Sequence, residues 1–268
     1  MEALSKGAPM VTRIISALVG VPILIGILVM GGPLLISALG FVMLMGLNEF
    51  YRSLKSVKIY PIHLVGYGYV ALWAFGSFIG QDYRVMGIYL ALVLTTAVLL
   101  GKEERKVMDG VFTLFGIFYV VILLSYIALL DQHDTPYVIW LVFIIAFATD
   151  TFAYFSGMFF GKNKLCPRVS PKKTVEGALG GIVGTIVVCS LFGIILFDGT
   201  TGLLFALLGG VGSMVAQMGD LMASMLKRWT GIKDFDKIMP GHGGVLDRFD
   251  SILFAGPLVY YFVILLEI

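Results

Sequence analysis

The stretch VTRIISALVGVPILIGILVM, Val11 to Met30, decides the fold class. It is 20 residues long and its only charge is Arg13. About 20 mostly apolar residues are what a helix needs to cross the hydrocarbon core of a bilayer. No small-residue cleavage site follows it, so we read it as a retained helix rather than a signal peptide. The same pattern recurs along the chain, and the composition agrees. Over 268 residues, 59% are hydrophobic, 13% are charged and the mean hydropathy is +0.96. A soluble domain carries roughly 25% charged residues, so this chain could not wet the surface of a soluble core. Disorder is excluded by the same abundance of apolar residues. The expectation is an all-α, polytopic transmembrane helical bundle of about nine spans. They lie roughly at 11–31, 33–54, 62–80, 84–101, 108–130, 136–160, 176–197, 201–225 and 251–267. The eighth is rich in Gly and Ser, which let helices approach closely, and so belongs inside the bundle. Cys166 and Cys189, without CxxC spacing, give neither a thiolate zinc site nor a disulfide framework.

The lysines and arginines set the orientation. With these spans, 18 of the 19 basic residues fall on one side, and only Arg84 falls on the other. Positive charge accumulates on the cytoplasmic side. The N-terminus and the loops after the even-numbered spans are therefore expected inside, and the C-terminus outside. The loops after spans six and eight are long and rich in polar residues. We expect one integral membrane domain over residues 1–268, with 1–135 mainly helical scaffold and 136–268 the catalytic portion.

Ionisable groups at membrane depth are costly and line cavities or pair with something. Glu49, Asp150, Asp220, Asp247 and Asp250 are the candidates. Glu49 stands three residues before Arg52, and the simpler reading makes them an interfacial helix pair. Asp247 and Asp250, framing LDRFD, would share a helix face and could point at one cation, with Asp220 approaching from span eight. Three carboxylates without a convergent histidine suit a hard cation such as Mg²⁺ better than zinc. Buried salt bridges to Lys227, Arg228 and Arg248 are the competing reading. Beside the acids lies PGHGG, Pro240 to Gly244. Gly243 and Gly244 after His242 permit a sharp turn, and the helix N-terminus that follows would offer backbone N–H groups to an anion. His242 could be a proton carrier, a phosphate donor or a turn residue. The segment GKNKLCPRVSPKKTVEG, Gly161 to Gly177, places Lys172, Lys173 and Thr174 after Ser170-Pro171 and ends on Glu176 at the mouth of span seven. Phosphate is the natural ligand for such lysines. The spacing is not that of a Walker A loop.

The run SMLKRWTGIKDFDKIMPGHGGVLDRFD, Ser224 to Asp250, resembles the diagnostic stretch of the CDP-diglyceride synthetases, the phosphatidate cytidylyltransferases. Ser224, Lys227, Arg228, Lys233, Asp234, His242, Gly243, Gly244, Asp247, Arg248 and Asp250 all fall on that pattern. The Asp150–Tyr154–Gly157–Gly161–Lys162 series and SPKKTVEG are similar to the family as well, although its usual form has Asn in place of Lys172. The resemblance implies transfer of the cytidylyl group of CTP to phosphatidic acid in the bilayer, giving CDP-diacylglycerol and pyrophosphate during phospholipid biosynthesis. On that basis Asp220 and Asp247 become the principal Mg²⁺ ligands, with Asp250 completing the site. Mn²⁺ could substitute, and a second cation is compatible. Lys173, Lys227 and Arg228 would act on phosphates, with His242 among the catalytic groups. Ser170, Lys172, Thr174, Glu176, Ser224, Gly243, Gly244, Arg248 and Asp150 would line the substrates. The resemblance also implies a homodimer, in the cytoplasmic membrane with its site facing the cytoplasm, and no nucleic-acid partner. A nucleotidyltransferase acting on another lipid phosphate, or a cation-coupled transporter, are the alternatives. Against the transporter, no second half mirrors the first and the acids gather near one face.

Overall fold

The computed structural model describes residues 10–135, 137–236 and 243–267, the first eight of these as backbone only. The described chain is helical almost throughout. The helices are α1 (Met10–Met30), α2 (Gly32–Ser53), α3 (His63–Phe78), α4 (Arg84–Gly101), α5 (Val107–Gly116), α6 (Leu123–Asp131), α7 (Val138–Phe160), α8 (Val175–Leu196), α9 (Gly199–Trp229) and α10 (Leu246–Leu266). A 3₁₀ turn, Leu54–Val57, extends α2, and a π-helical turn, Ile117–Ile122, joins α5 to α6 into one rod. Each expected span therefore falls on a helix, but seven rather than nine are long and apolar enough to cross a bilayer over the described residues. The stretch 62–80 gives α3 of only 16 residues, about 24 Å at the α-helical rise, short of a hydrocarbon core of about 30 Å. Large apolar side chains such as Leu64, Val85, Leu100 and Leu265 are exposed along the helices, as expected where the surrounding medium is lipid. The protein is a multi-pass membrane protein.

One element departs from an all-helical reading. Strands β1 (Lys164–Cys166) and β2 (Ser170–Thr174) form an antiparallel hairpin, with Lys164 opposite Thr174 and Cys166 opposite Ser170. Pro167 and Pro171 exclude helix here, since each lacks a backbone donor and restricts the residue before it. Val175 N–H closes the hairpin base on Asn163 O at 2.9 Å.

The chain divides into two compact units. The first comprises Met1–Ala128 with Trp229–Arg248, and the second Leu129–Arg228 with Phe249–Ile268. The Ser224–Asp250 motif is therefore split, because its Trp229–Arg248 portion packs with the N-terminal half.

In the first unit, α2 buries the face carrying Leu35, Leu39, Met43, Leu47, Phe50 and Tyr51. Tyr51 donates to Thr113 O at 2.7 Å, and Thr113 Oγ1 accepts from Ile62 N–H at 2.7 Å. Asp109 braces the preceding turn by accepting from Tyr60 N–H at 2.7 Å and Lys106 N–H at 3.1 Å. Trp229 stacks on Phe112 at 5.2 Å between ring centres. Arg84, the lone basic residue expected outside, forks onto Asp82 with an Nη2–Oδ2 distance of 2.7 Å. This guanidinium holds the Asp82 carboxyl below the usual carboxylate range.

In the second unit small residues set the helix spacing. A Cβ at Gly177 would stand 2.8 Å from Ala153 O, and one at Gly181 would stand 3.1 Å from Thr149 O, so α7 and α8 touch backbone to backbone. Thr149 and Thr185 hydrogen bond across that seam at 3.0 Å. Helix α9 buries Gly202, Gly209, Gly210, Gly212, Ser213, Ala216, Gly219 and Ala223, as a Gly- and Ser-rich span inside a bundle should.

Candidate active site

The second unit holds a cavity of about 400 Å³ between α7, the hairpin, α8 and α9. Asp150 and Tyr154 come from α7, Lys172, Lys173 and Thr174 from β2, and Gln217 and Asp220 from α9. On β2 Lys172 is exposed, Lys173 half-buried and Thr174 buried. The Lys173 ammonium stands 2.5 Å from Asp220 Oδ2, and both side chains keep about a quarter of their surface (27% and 25%) open. Ser224, one turn further along α9, gives Asp220 Oδ1 a long contact of 3.4 Å. A Cβ at Gly219 would stand 2.5 Å from Asp250 O, so α9 and α10 meet next to Asp220. Asp250 feels the charges of Asp220, Lys227 and Asp150 and receives Ser251 N–H at 2.8 Å. Lys227 is buried, and Arg228 Nε reaches Val169 O in the hairpin turn at 3.4 Å.

Two of the residues expected to line the substrates also shape the backbone. Thr174 caps α8 by accepting Gly177 N–H at 3.1 Å, which satisfies one of the unpaired donors of that helix start. Glu176 accepts from Lys162 N–H at 3.0 Å and from the Asn163 amide at 2.7 Å, and so ties the end of α7 to the start of α8. Ser170 sits in the strand pair opposite Cys166.

The first unit holds the start of α10. Gly243 has φ +88, a conformation glycine adopts without steric cost. Asp247 is buried, and its Oδ2 accepts from Phe235 N–H and Gly244 N–H, each at 2.9 Å. Arg248 is exposed, and its N–H reaches Val245 O at 3.0 Å. His242 lies outside the described residues, as do Lys237 and Pro240. The pairing expected for Glu49 is different from the one observed. Arg52 contacts Asp236 at 3.5 Å, while Glu49 is fully buried and accepts from Val245 N–H and Leu246 N–H, each at 2.8 Å. The backbone donors expected to form an anion cradle at Gly244–Leu246 are thus engaged by two of the protein's own carboxylates.

Sequence reasoning missed Gln217, the backbone partners of Glu49 and Tyr154's place in the cavity wall. Glu49 sits at the spacing of Met43, Gly46, Leu47 and Phe50 on the buried face of α2, which was the available signal. Gln217 precedes Asp220 by three residues, hence one helix face, and donates to Ala178 O at 3.2 Å.

Residues 11–266 match the sequence profile of the cytidylyltransferase family. The chain belongs to that family. Among similar proteins, the phosphatidate cytidylyltransferase of Staphylococcus haemolyticus is 31% identical over 256 residues, covering 93% of this chain and 97% of that one. That of Bacillus subtilis is 34% identical over 237 residues, covering 82% and 86%. That of Synechocystis is 33% identical over 286 aligned positions, covering 95% and 96%. The similarity to these cytidylyltransferases runs through both units, so both the cavity and the Asp247 loop lie within the shared family sequence.

Among the described residues, no three His, Cys, Asp or Glu side chains are grouped to hold a metal ion. Mg²⁺ commonly takes one or two carboxylates and completes its shell with waters and substrate phosphates. Asp220 and Asp250 fit that use: both offer oxygen, and Asp220 already carries a cation, the Lys173 ammonium.

Proposed function

We propose that this protein transfers the cytidylyl group of CTP to phosphatidate, releasing pyrophosphate and forming CDP-diacylglycerol. The observation that carries the reading is near full-length similarity to phosphatidate cytidylyltransferases, together with a cavity in which a lysine and an aspartate face each other. The phosphate of phosphatidate attacks the α-phosphorus of CTP. A phosphorus–oxygen bond forms there as the bond to the departing pyrophosphate breaks. A phosphate monoester has a second pKa of about 6, so the nucleophile is already largely dianionic and no side chain has to remove a proton. The difficulty is to bring anions together and to stabilise the leaving charge. Lys173, Lys227 and Arg228 hold phosphates, and Asp220 keeps the Lys173 ammonium aimed into the cavity. Asp220 and Asp250, with Asp247 one turn before Asp250 on α10, are the residues that would hold Mg²⁺. Once bound, Mg²⁺ supplies charge neutralisation across the phosphates. Lys172, Ser170, Ser224, Arg248 and Asp150 border the substrates, and Thr174, Glu176, Gly243 and Gly244 shape the loops that present them.

The same reading takes α3 as a short crossing that the bilayer thins to meet, giving nine crossings, with the N-terminus and the site on the cytoplasmic side and two copies per assembly. The basic-residue distribution supports the orientation, and the family resemblance supports the dimer. A cysteine introduced near His133 should react with a membrane-impermeant thiol reagent from outside the cell, and one near Lys237 should not. The reverse pattern overturns the orientation. The activity is tested by pyrophosphate release from purified protein in micelles supplied with phosphatidate, Mg²⁺ and each nucleotide in turn. Release should need CTP, lipid and Mg²⁺ together. Release with CTP and a different lipid phosphate, but not with phosphatidate, would reassign the acceptor.

A further inference from the structure

An α-helix opens with backbone N–H groups that have no partner within it. At and just before the start of α10, three successive donors are taken by side chains of the protein itself. Gly244 N–H goes to Asp247 Oδ2 at 2.9 Å, Val245 N–H to Glu49 Oε1 at 2.8 Å, and Leu246 N–H to Glu49 Oε2 at 2.8 Å. Glu49 arrives from α2, nearly 200 residues earlier in the chain (196 from Val245), and none of its surface is exposed. The fit depends on the absence of a side chain at Gly244, because a Cβ there would stand 2.5 Å from Glu49 Oε2. Gly243 is held the same way, since its Cβ would stand 2.9 Å from Asp247 Oδ2.

We propose that Glu49 is the built-in anion of the α10 N-terminus and, by fixing the backbone from Gly244 to Leu246, the residue that positions Asp247 for the reaction. Two consequences follow from the geometry. First, a carboxylate binding two adjacent N–H groups sets both position and rotation of that turn, so the direction of the Asp247 side chain is inherited from α2. Second, the N–H groups of Gly244, Val245 and Leu246 are closed to substrate phosphate, in keeping with phosphate binding at Lys173, Lys227 and Arg228. Both hydrogen bonds that Glu49 accepts come from backbone N–H groups, so it is a positioning residue rather than a catalytic one. The inference rests on the reading that Asp247 serves cytidylyl transfer.

The test uses the full chain in micelles, with Glu49→Gln, Glu49→Ala and wild type side by side. Glutamine keeps the volume but turns an NH₂ donor toward one of the two backbone N–H groups. We expect kcat to fall by about tenfold or more, the loss of one charge-assisted hydrogen bond, with KM for CTP within about twofold. Amide hydrogen exchange should accelerate in the segment 243–248 and stay unchanged in α7 and α8. In Glu49→Ala, sodium acetate should restore activity saturably, because acetate can occupy the vacated anion position, whereas sodium chloride at equal ionic strength should not. Wild-type kcat per folded molecule in Glu49→Gln, or activity that declines only in step with the folded fraction, overturns the proposal. Wild-type protein that fails to turn over CTP strikes instead at the activity itself, so the two failures are distinguishable.

Discussion

Glu49 and Asp247 in the first unit and Asp220 in the second use their carboxylates in opposite ways. In the first, Glu49 and Asp247 are buried and bind backbone N–H groups. In the second, Asp220 is a quarter open, lines a cavity and binds the ammonium of Lys173. A carboxylate on backbone donors is a fixed brace, because its partners cannot leave without unwinding a turn. A carboxylate on a lysine beside a cavity is exchangeable: ammonium and carboxylate can each take a substrate phosphate or a metal ion instead. One unit supplies rigidity to the glycine loop and the other supplies replaceable charge.

The harshest way to break this contrast is Asp247→Asn. The amide would turn a donor toward either Phe235 or Gly244, and turnover should fall by about 10²–10³, the usual scale for losing one preorganised polar group at a reacting centre. The measurement is initial-rate pyrophosphate release, with membrane insertion and a thermal melt confirming a folded chain. Retained activity would remove Asp247 from the site and leave it a loop brace. Lys173→Ala should cost about tenfold to a hundredfold, since a lost bond between charged groups is at stake. Its effect should appear mainly as a raised KM for CTP or lipid, because the lysine binds phosphate in the ground state too. Lys164→Ala, on the partner strand but exposed, should change either constant by less than about twofold, as for an isolated surface charge. Equal effects at Lys173 and Lys164 would show that the hairpin contributes diffuse positive charge and that the Lys173–Asp220 pair has no special place.

Much of this was legible in the linear sequence. The helices lie close to where the apolar stretches put them, because a span declares itself by length and by the exclusion of charge. Of the residues Lys173 and Asp220, 47 positions apart in the chain, Asp220 was singled out by its cost at membrane depth and Lys173 by its place after Ser170-Pro171 in a basic loop. The hairpin was not foreseen, since a segment read for its lysines gives no sign of the strand that will pair with it. Thr174 and Glu176 were expected to meet substrate, and that they also cap and tie helices was not foreseen, because it depends on where neighbouring backbone donors point. Glu49 was misjudged for a similar reason. Local spacing favoured Arg52 at i+3, but Arg52 found Asp236 and Glu49 found two N–H groups from the other end of the chain.

Composition, hydropathy and charge distribution therefore determined the solvent this protein lives in, the positions of its helices and the residue types of its chemistry. These follow from transfer free energies that each residue carries alone. Which carboxylate braces a loop and which faces a cavity was decided only in three dimensions. A hydrogen bond depends on the position of a partner, and here those partners are backbone groups distant along the chain, whose identity as residues reveals nothing about their availability.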